Sequence, residues 1–131
     1  LQLKQVTSPS HELYANLITV RLGSGDRQTV VAGTVAHDGA HIVSIDGYWV
    51  DVPPSEGFLL LCENEDRPGM IGTVGTLIGE LGVNISYMNV GRHEKSGVAL
   101  MVLALDEHLA PDQLDRVRDV DGIQSARLAQ L

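Results

Sequence analysis

Residues 58–72 read FLLLCENEDRPGMIG, and this short stretch joins an apolar run to the start of a helical pattern. The run over 58–63 is long enough for one buried strand, and the apolar spacing that follows predicts a helix over 69–81. Two short polar side chains, Asn64 and Asp66, stand at the strand's carboxyl end and face the helix start. Helix-start N–H groups can bind a carboxylate, and the oxygens of these two side chains can accept hydrogen bonds from an ammonium group. The stretch therefore predicts a site for a small zwitterion, which favours an amino-acid sensor over a catalyst.

The rest of the C-terminal half repeats strand and helix signals in the order β-α-β-β-α-β. Strands are predicted over 83–92, 98–105 and 123–128, and Pro111 opens the second helix. This order predicts a ferredoxin-like domain, a four-stranded antiparallel sheet with both helices on one face. The first helix also carries glycines at 69, 72, 75, 79 and 82. Glycine is unfavourable in a helix, so we expect that face to lie close against a sheet or a ligand, with Gly82 as the C-cap.

The N-terminal half has the rhythm of short antiparallel strands. Turn signals separate β-rich runs over 13–52, and Asp46-Gly47 between two alternating runs is a strong hairpin signal. Residues 1–12 predict a frayed lead-in or a short edge strand. The run over 53–57, Pro-Pro-Ser-Glu-Gly, then breaks the pattern. The sequence therefore predicts an α+β chain, with an antiparallel β meander over 1–57 and the ferredoxin-like domain over 58–131.

Composition narrows the class of partner. The chain has 131 residues and 44% hydrophobic content, enough for one comfortable core or two small ones. A net charge of -8 argues against a nucleic-acid partner or an anionic membrane surface, and every apolar run is too short to span a membrane. The single cysteine, Cys62, cannot form an internal disulfide and reads as a buried thiol, which fits a cytoplasmic setting.

No sequence feature predicts catalysis or metal binding in this chain. The histidines stand at 11, 37, 41, 93 and 108, and no third ligand accompanies the pair at 37 and 41 at a metal-binding spacing. The sequence contains neither a Gly-x-Ser-x-Gly nucleophile motif nor a phosphate-binding loop, and its glycines do not spell a dinucleotide fingerprint. We therefore predict no catalytic residue, no metal and no cofactor here.

The motif over 64–72, followed by Gly-Val-Asn-Ile over 82–85, resembles the ACT domain, a regulatory amino-acid-binding module attached to many metabolic enzymes. The segment over 89–101, NVGRHEKSGVALM, resembles the ACT domain that ends D-3-phosphoglycerate dehydrogenases. Motifs at 14–20, 33–35 and 45–48 resemble the later part of the intervening, allosteric substrate-binding domain in the long form of that family. The resemblance implies a C-terminal regulatory region whose parent enzyme would use NAD in serine biosynthesis.

The resemblance also implies which residues bind the effector. In serine-inhibited members, the amino acid lies between the first strand–helix loop of one ACT domain and the second strand of its neighbour. The matching positions are Asn64, Asp66 and Asn84, with Gly69 and Met70 at the helix start. The implied partners are L-serine or another small amino acid, and further copies of the chain joined through the ACT domain.

The residues themselves leave other roles open. Asp66 could cap the helix, Asn64 could close a turn by bonding its own backbone, and Asn84 could be a plain turn residue. Arg67 is expected to pair with a nearby carboxylate rather than with an effector. Two other functions also stay open for the whole chain. It could be a structural oligomerisation module with a vestigial pocket, or the similar regulatory part of an iron–sulfur L-serine dehydratase, although the cysteines of such a cluster are missing here.

Overall fold

The computed structural model describes residues 2–8, 16–24, 27–53, 57–93 and 97–130. The chain divides into two compact units, Leu1–Pro54 and Ser55–Leu131. This division falls inside the proline-containing run that the sequence marks as a break. The chain is mostly antiparallel strand with two helices, which confirms the predicted α+β class.

The first unit is an antiparallel meander. Its strands are β1 Gln2–Ser8, β2 Leu17–Ser24, β3 Arg27–Ala36, β4 Gly39–Ile45 and β5 Tyr48–Val52. Each strand pairs with the next one along the chain. β1 pairs with β2 over its whole length, so the edge-strand alternative for the lead-in is confirmed. Residues 13–15, which open the predicted β-rich run, lie outside the described residues.

The Asp46-Gly47 turn forms as its sequence predicts. Both residues have positive φ, 49° and 85°, as a tight hairpin turn of this kind requires. The Asp46 carboxylate also accepts a hydrogen bond from the Val30 N–H at 2.7 Å, which ties the turn to β3. The hairpin therefore rests on local turn chemistry and on two hydrogen bonds to β3, since the Asp46 N–H also donates to the Val30 carbonyl at 2.7 Å.

The second unit has the predicted β-α-β-β-α-β order. Its elements are β6 Phe58–Glu65, α1 Met70–Glu80, β7 Ile85–Arg92, β8 Val98–Leu105, α2 Pro111–Arg118 and β9 Ile123–Gln130. The strands lie in the order β7-β8-β6-β9 and all pair antiparallel, which is the ferredoxin-like arrangement. Neither helix in the described part of the chain is long and apolar enough to cross a membrane.

One hydrophobic cluster places both helices on the same face of this sheet. The cluster joins buried side chains of α1, α2 and the strands, chiefly Met70, Val74, Ile78, Val117, Leu60, Cys62, Met101, Leu103 and Ala126. Fully burying a Val, Leu, Ile or Met side chain stabilises the folded state by about 1.5–3 kcal/mol relative to leaving it exposed. Cys62 is fully buried, and burial raises its pKa to about 12, so the expected inert thiol is confirmed.

The glycines of α1 do not lie against the sheet, so that half of the expectation is wrong, and contact with a ligand stays a prediction. A Cβ added at Gly72, Gly75 or Gly79 would meet no atom within 4 Å. The buried residues of α1 recur every four positions, so these glycines fall on other faces of the helix. Gly82 follows the cap residue Leu81 with φ of 76°, and its N–H donates to the Gly79 carbonyl at 3.0 Å. Glycine ends the helix in the left-handed conformation expected of it.

Candidate functional site

A cavity of about 560 Å³ opens where β6 ends and α1 begins. Its lining residues come from the β6–α1 loop, the first turn of α1 and the adjoining ends of β7 and β8: Asn64, Asp66, Arg67, Pro68, Gly69, Met70, Ile71, Val90, Arg92, Ala99 and Met101. Ligand pockets commonly have volumes of roughly 300–1,000 Å³ and combine apolar walls with a few polar groups. Four of the five predicted effector residues line this cavity: Asn64, Asp66, Gly69 and Met70.

Asn64 lines the cavity and carries a buried, unpaired acceptor. Its side chain is buried, with 3% of the residue surface exposed, and its Nδ2 donates to the Glu65 carbonyl at 2.8 Å. That bond fixes the amide's orientation, and Oδ1 then has no hydrogen-bond partner among the described residues. The turn-closing alternative accounts for the nitrogen but leaves the oxygen unexplained. A buried acceptor without a partner costs about 1–3 kcal/mol, so it points to a donor supplied from outside the chain.

Asp66 does not cap α1, so that alternative is wrong. The N-cap residue is Gly69, with φ of 89°, and no side chain forms a cap hydrogen bond there. The Asp66 carboxylate instead forms an ion pair with Arg92, with Oδ2 at 3.1 Å from Nε, and the Asp66 side chain is 33% exposed. Its backbone N–H donates to the Gly97 carbonyl at 2.9 Å, which holds the loop in place. The carboxylate therefore stands at the cavity with access to a ligand.

The start of α1 supplies hydrogen-bond donors to the same cavity. The first intrahelical bond runs from the Thr73 N–H to the Gly69 carbonyl at 3.0 Å, so the N–H groups before Thr73 have no acceptor within the helix. The first turn of α1 carries no acidic residue that would neutralise its partial positive charge. An incoming carboxylate is the natural partner for these donors.

Arg67 braces the loop beside the cavity, and its predicted pairing with carboxylates is confirmed. Its guanidinium contacts Glu65 Oε2 at 3.2 Å and Asp121 Oδ2 at 2.9 Å. The hydrogen bond that Arg67 donates to Asp121 and the charge of Glu65 both raise the pKa of Arg67. Gly122, next along the chain, has φ of 94°, and a Cβ there would lie 2.8 Å from both Arg67 Nη2 and Met70 Sδ. The loop before β9 is therefore part of the support of the site.

The loop, the helix start and the strand order agree with one family. Residues 58–122 match the ACT domain family. The second unit is an ACT domain. Its sequence relatives extend the match over the first unit as well. The whole chain is 37% identical to the D-3-phosphoglycerate dehydrogenase of Bacillus subtilis, of which it covers 25%.

Two archaeal relatives show the same similarity. The D-3-phosphoglycerate dehydrogenase of Methanocaldococcus jannaschii is 32% identical over 95% of this chain, which covers 24% of that protein. The corresponding enzyme of Archaeoglobus fulgidus is 36% identical over 93% of this chain, which covers 23% of it. The chain thus spans about a quarter of the length of these relatives and is similar to their C-terminal, regulatory regions.

Asn84 lies at the opposite end of α1 from the other predicted effector residues. It does not line the cavity, and the 11-residue helix between them spans about 16 Å. Its Nδ2 donates to Asp106 Oδ2 at 2.8 Å, and its backbone N–H donates to Glu107 Oε2 at 3.2 Å. Within one chain, these two hydrogen bonds hold Asn84 in the segment between α1 and β7. Its role as a contact from a neighbouring subunit stays a prediction.

Arg92 is the polar cavity residue that the sequence did not single out. Ala99 on β8 pairs with Arg92 on β7 and with Asn64 on β6, so strand register alone brings these two side chains to one end of the sheet. Arg92 falls within the segment over 89–101 that resembles the family, but no local sequence pattern indicates that its side chain faces the site. Among the described residues, no group of three or more His, Cys, Asp or Glu side chains could hold a metal ion.

Proposed function

We propose that this chain is the regulatory region of a D-3-phosphoglycerate dehydrogenase and that its ACT domain binds L-serine. The observation that carries the proposal is the unpaired Oδ1 of buried Asn64 on a cavity that also holds the Asp66 carboxylate and the α1 start. The similarity to dehydrogenases of this name supports the choice of parent enzyme. The NAD-dependent chemistry would belong to the rest of that enzyme.

The cavity matches the two ends of an amino-acid zwitterion. An ammonium group can donate to Asn64 Oδ1 and to Asp66 Oδ1, the carboxylate oxygen that Arg92 does not occupy. The ligand carboxylate can accept from the helix-start N–H groups of Met70 and Ile71. Short charge-assisted bonds of this kind are roughly twice as strong as neutral ones.

The proposal also assigns a role to the first unit and to the association of subunits. The meander would be the later part of an intervening, allosteric substrate-binding domain. Asn84 would reach the serine bound to a neighbouring ACT domain. In that case, effector binding and subunit association strengthen each other by linkage.

The vestigial oligomerisation module remains the second candidate, because one observation favours it. Asp66 is already paired with Arg92, and Asn84 is already paired with Asp106. Charged groups that already pair within the chain need no ligand for their stability, although the Asn64 oxygen stays unpaired. No feature of the described residues favours the regulatory part of an iron–sulfur dehydratase.

Calorimetric titration of the chain with L-serine separates these candidates, with glycine, L-alanine and D-serine as comparison ligands. We expect saturable binding of L-serine, weakened about tenfold to hundredfold by Asp66→Asn, since a hydrogen bond to a charged group contributes about 1.5–3 kcal/mol. The matched control is Asp112→Asn, an exposed acid in the first turn of α2, away from the cavity. Failure of the parent chain to bind any amino acid would leave the structural module as the better account.

A further inference from the structure

Arg92 holds a cationic group at the cavity. Its side chain is 74% exposed, and Asp66 is its ion-pair partner within the described residues. The contact uses Nε, one of five N–H donors on the guanidinium, so the two terminal nitrogens stay available to a ligand. Asp66 therefore orients a planar donor group on the same cavity that Asn64 lines with its unpaired oxygen.

The charges on this cavity come as one pair. Asp66 and Arg92 contribute one negative and one positive charge, while Arg67 is engaged by Glu65 and Asp121. A ligand with only an ammonium group meets an acid that Arg92 already neutralises. A ligand with only a carboxylate brings a second anion next to Asp66. A zwitterion places each of its charges beside the opposite member of the pair.

We propose that Arg92 is the specificity-determining residue of this site and that it makes the site selective for zwitterions by binding the ligand's carboxylate. This inference rests on the proposed function and assigns the carboxylate to Arg92 together with the α1 start. The guanidinium fork suits a carboxylate, because two parallel N–H donors match its two oxygens. Asp66 then has two tasks, since one oxygen orients Arg92 and the other accepts from the ammonium.

The test compares three ligands that carry different parts of the zwitterion. L-serine has both charges, ethanolamine keeps the ammonium and hydroxyl but lacks the carboxylate, and glycerate lacks the ammonium. Chemical-shift titration measures all three against the parent chain and Arg92→Gln, with Arg92→Lys as the conservative variant. Arg21→Gln, a charge-matched change on an exposed residue of β2 in the first unit, is the control. Melting temperatures confirm that each variant is folded.

We expect Arg92→Gln to weaken L-serine binding on the order of tenfold, the value of one charge-assisted contact at a partly exposed site. Ethanolamine should bind Arg92→Gln as well as it binds the parent chain, or better, because Asp66 has lost its competitor. Arg92→Gln should also weaken glycerate binding, as it weakens L-serine binding. Arg92→Lys should fall between the parent chain and Arg92→Gln for L-serine, since it keeps the charge and loses the fork.

Two results would overturn the inference. One is L-serine affinity that is unchanged in Arg92→Gln. The other is an equal loss for L-serine and ethanolamine, which would mean that Arg92 only positions Asp66. If ethanolamine binds neither protein, the Arg92→Lys variant decides. An L-serine affinity of Arg92→Lys no higher than that of Arg92→Gln would contradict the inference. If L-serine binds the parent and fails to bind Asp66→Asn while Arg92→Gln is unaffected, the proposed function stands without it.

Discussion

His41 in the first unit and Asn64 in the second are both polar side chains largely withdrawn from water, and they differ in what they bond. His41 has a carboxylate on each ring nitrogen, Asp51 at 2.7 Å from Nδ1 and Asp38 at 2.9 Å from Nε2. Asn64 uses its nitrogen and leaves its oxygen without a partner among the described residues. A neutral imidazole has only one N–H, so two carboxylates select the protonated ring and close that cluster. The first cluster is complete within the chain, whereas the second lacks a donor.

The difference separates structural polar groups from binding ones. The His41 cluster joins the β3–β4 turn, β4 and β5, and its contacts account for every hydrogen-bonding atom of the ring. Asn64 lines a cavity with a carboxylate and a helix start, and its buried oxygen has no partner in the described part of the chain. The number of polar residues does not distinguish the two sites. Their hydrogen bonds do, because both His41 ring nitrogens are bonded, whereas the Asn64 oxygen has no partner among the described residues.

The largest expected effect on stability comes from a change in the loop before β9, which supports the cavity. Gly122→Ala puts a Cβ where φ is 94° and where Arg67 Nη2 and Met70 Sδ lie 2.8 Å away. We expect it to lower the free energy of unfolding by about 1–3 kcal/mol, because a left-handed backbone disfavours side chains and both neighbours must shift. Urea unfolding measures the loss. A value within error of the parent would show that the loop before β9 is not held as described.

A matched glycine change in the same unit should act in the opposite direction. Gly79→Ala lies in α1, where an added Cβ meets nothing within 4 Å. We expect a gain of about 1 kcal/mol, because alanine has the higher helix propensity and restricts the unfolded chain. The same urea experiment measures it. Destabilisation by Gly79→Ala would indicate that the bare face of α1 is covered by something in solution.

The closed cluster predicts a pH dependence for the first unit. Hydrogen bonds that the His41 ring donates to Asp51 and then to Asp38 raise the pKa of His41 above 6.5. A raised folded-state pKa adds stability that is fully present below pH 6.5 and is lost as the pH rises through the folded-state value. Trp49, the single tryptophan, lies in β5 and reports unfolding of this unit by fluorescence. His41→Gln should flatten the dependence, and an equally steep slope in that variant would place its origin elsewhere.

Much of the fold follows from local patterns that the sequence carries openly. The four-residue recurrence of buried side chains in α1 and the Asp46-Gly47 turn each fix an element without reference to the rest of the chain. The same locality explains why Asn64 and Asp66 could be predicted, since both follow one strand and precede one helix. Gly69 and Met70 belong to the same short loop.

Other parts of the site depend on residues far apart in the sequence. Arg92 reaches Asp66 only because β8 pairs with both β7 and β6, and Asp121 meets Arg67 across 54 positions. Asn84 looked available because its partner, Asp106, stands 22 residues away. Tertiary register decides such contacts, and a single sequence does not state it.

Asn64→Leu, titrated with L-serine and unfolded in urea, tests the central claim most directly. Leucine has a similar branched shape and removes the unpaired buried oxygen together with the amide nitrogen's bond to Glu65. We predict that L-serine binding is lost, by about a hundredfold or more, while the free energy of unfolding stays equal to the parent's or rises. Asn64 would then be an open acceptor that the chain keeps for a ligand. Retained serine binding with a clear loss of stability would contradict the account and make Asn64 a structural residue.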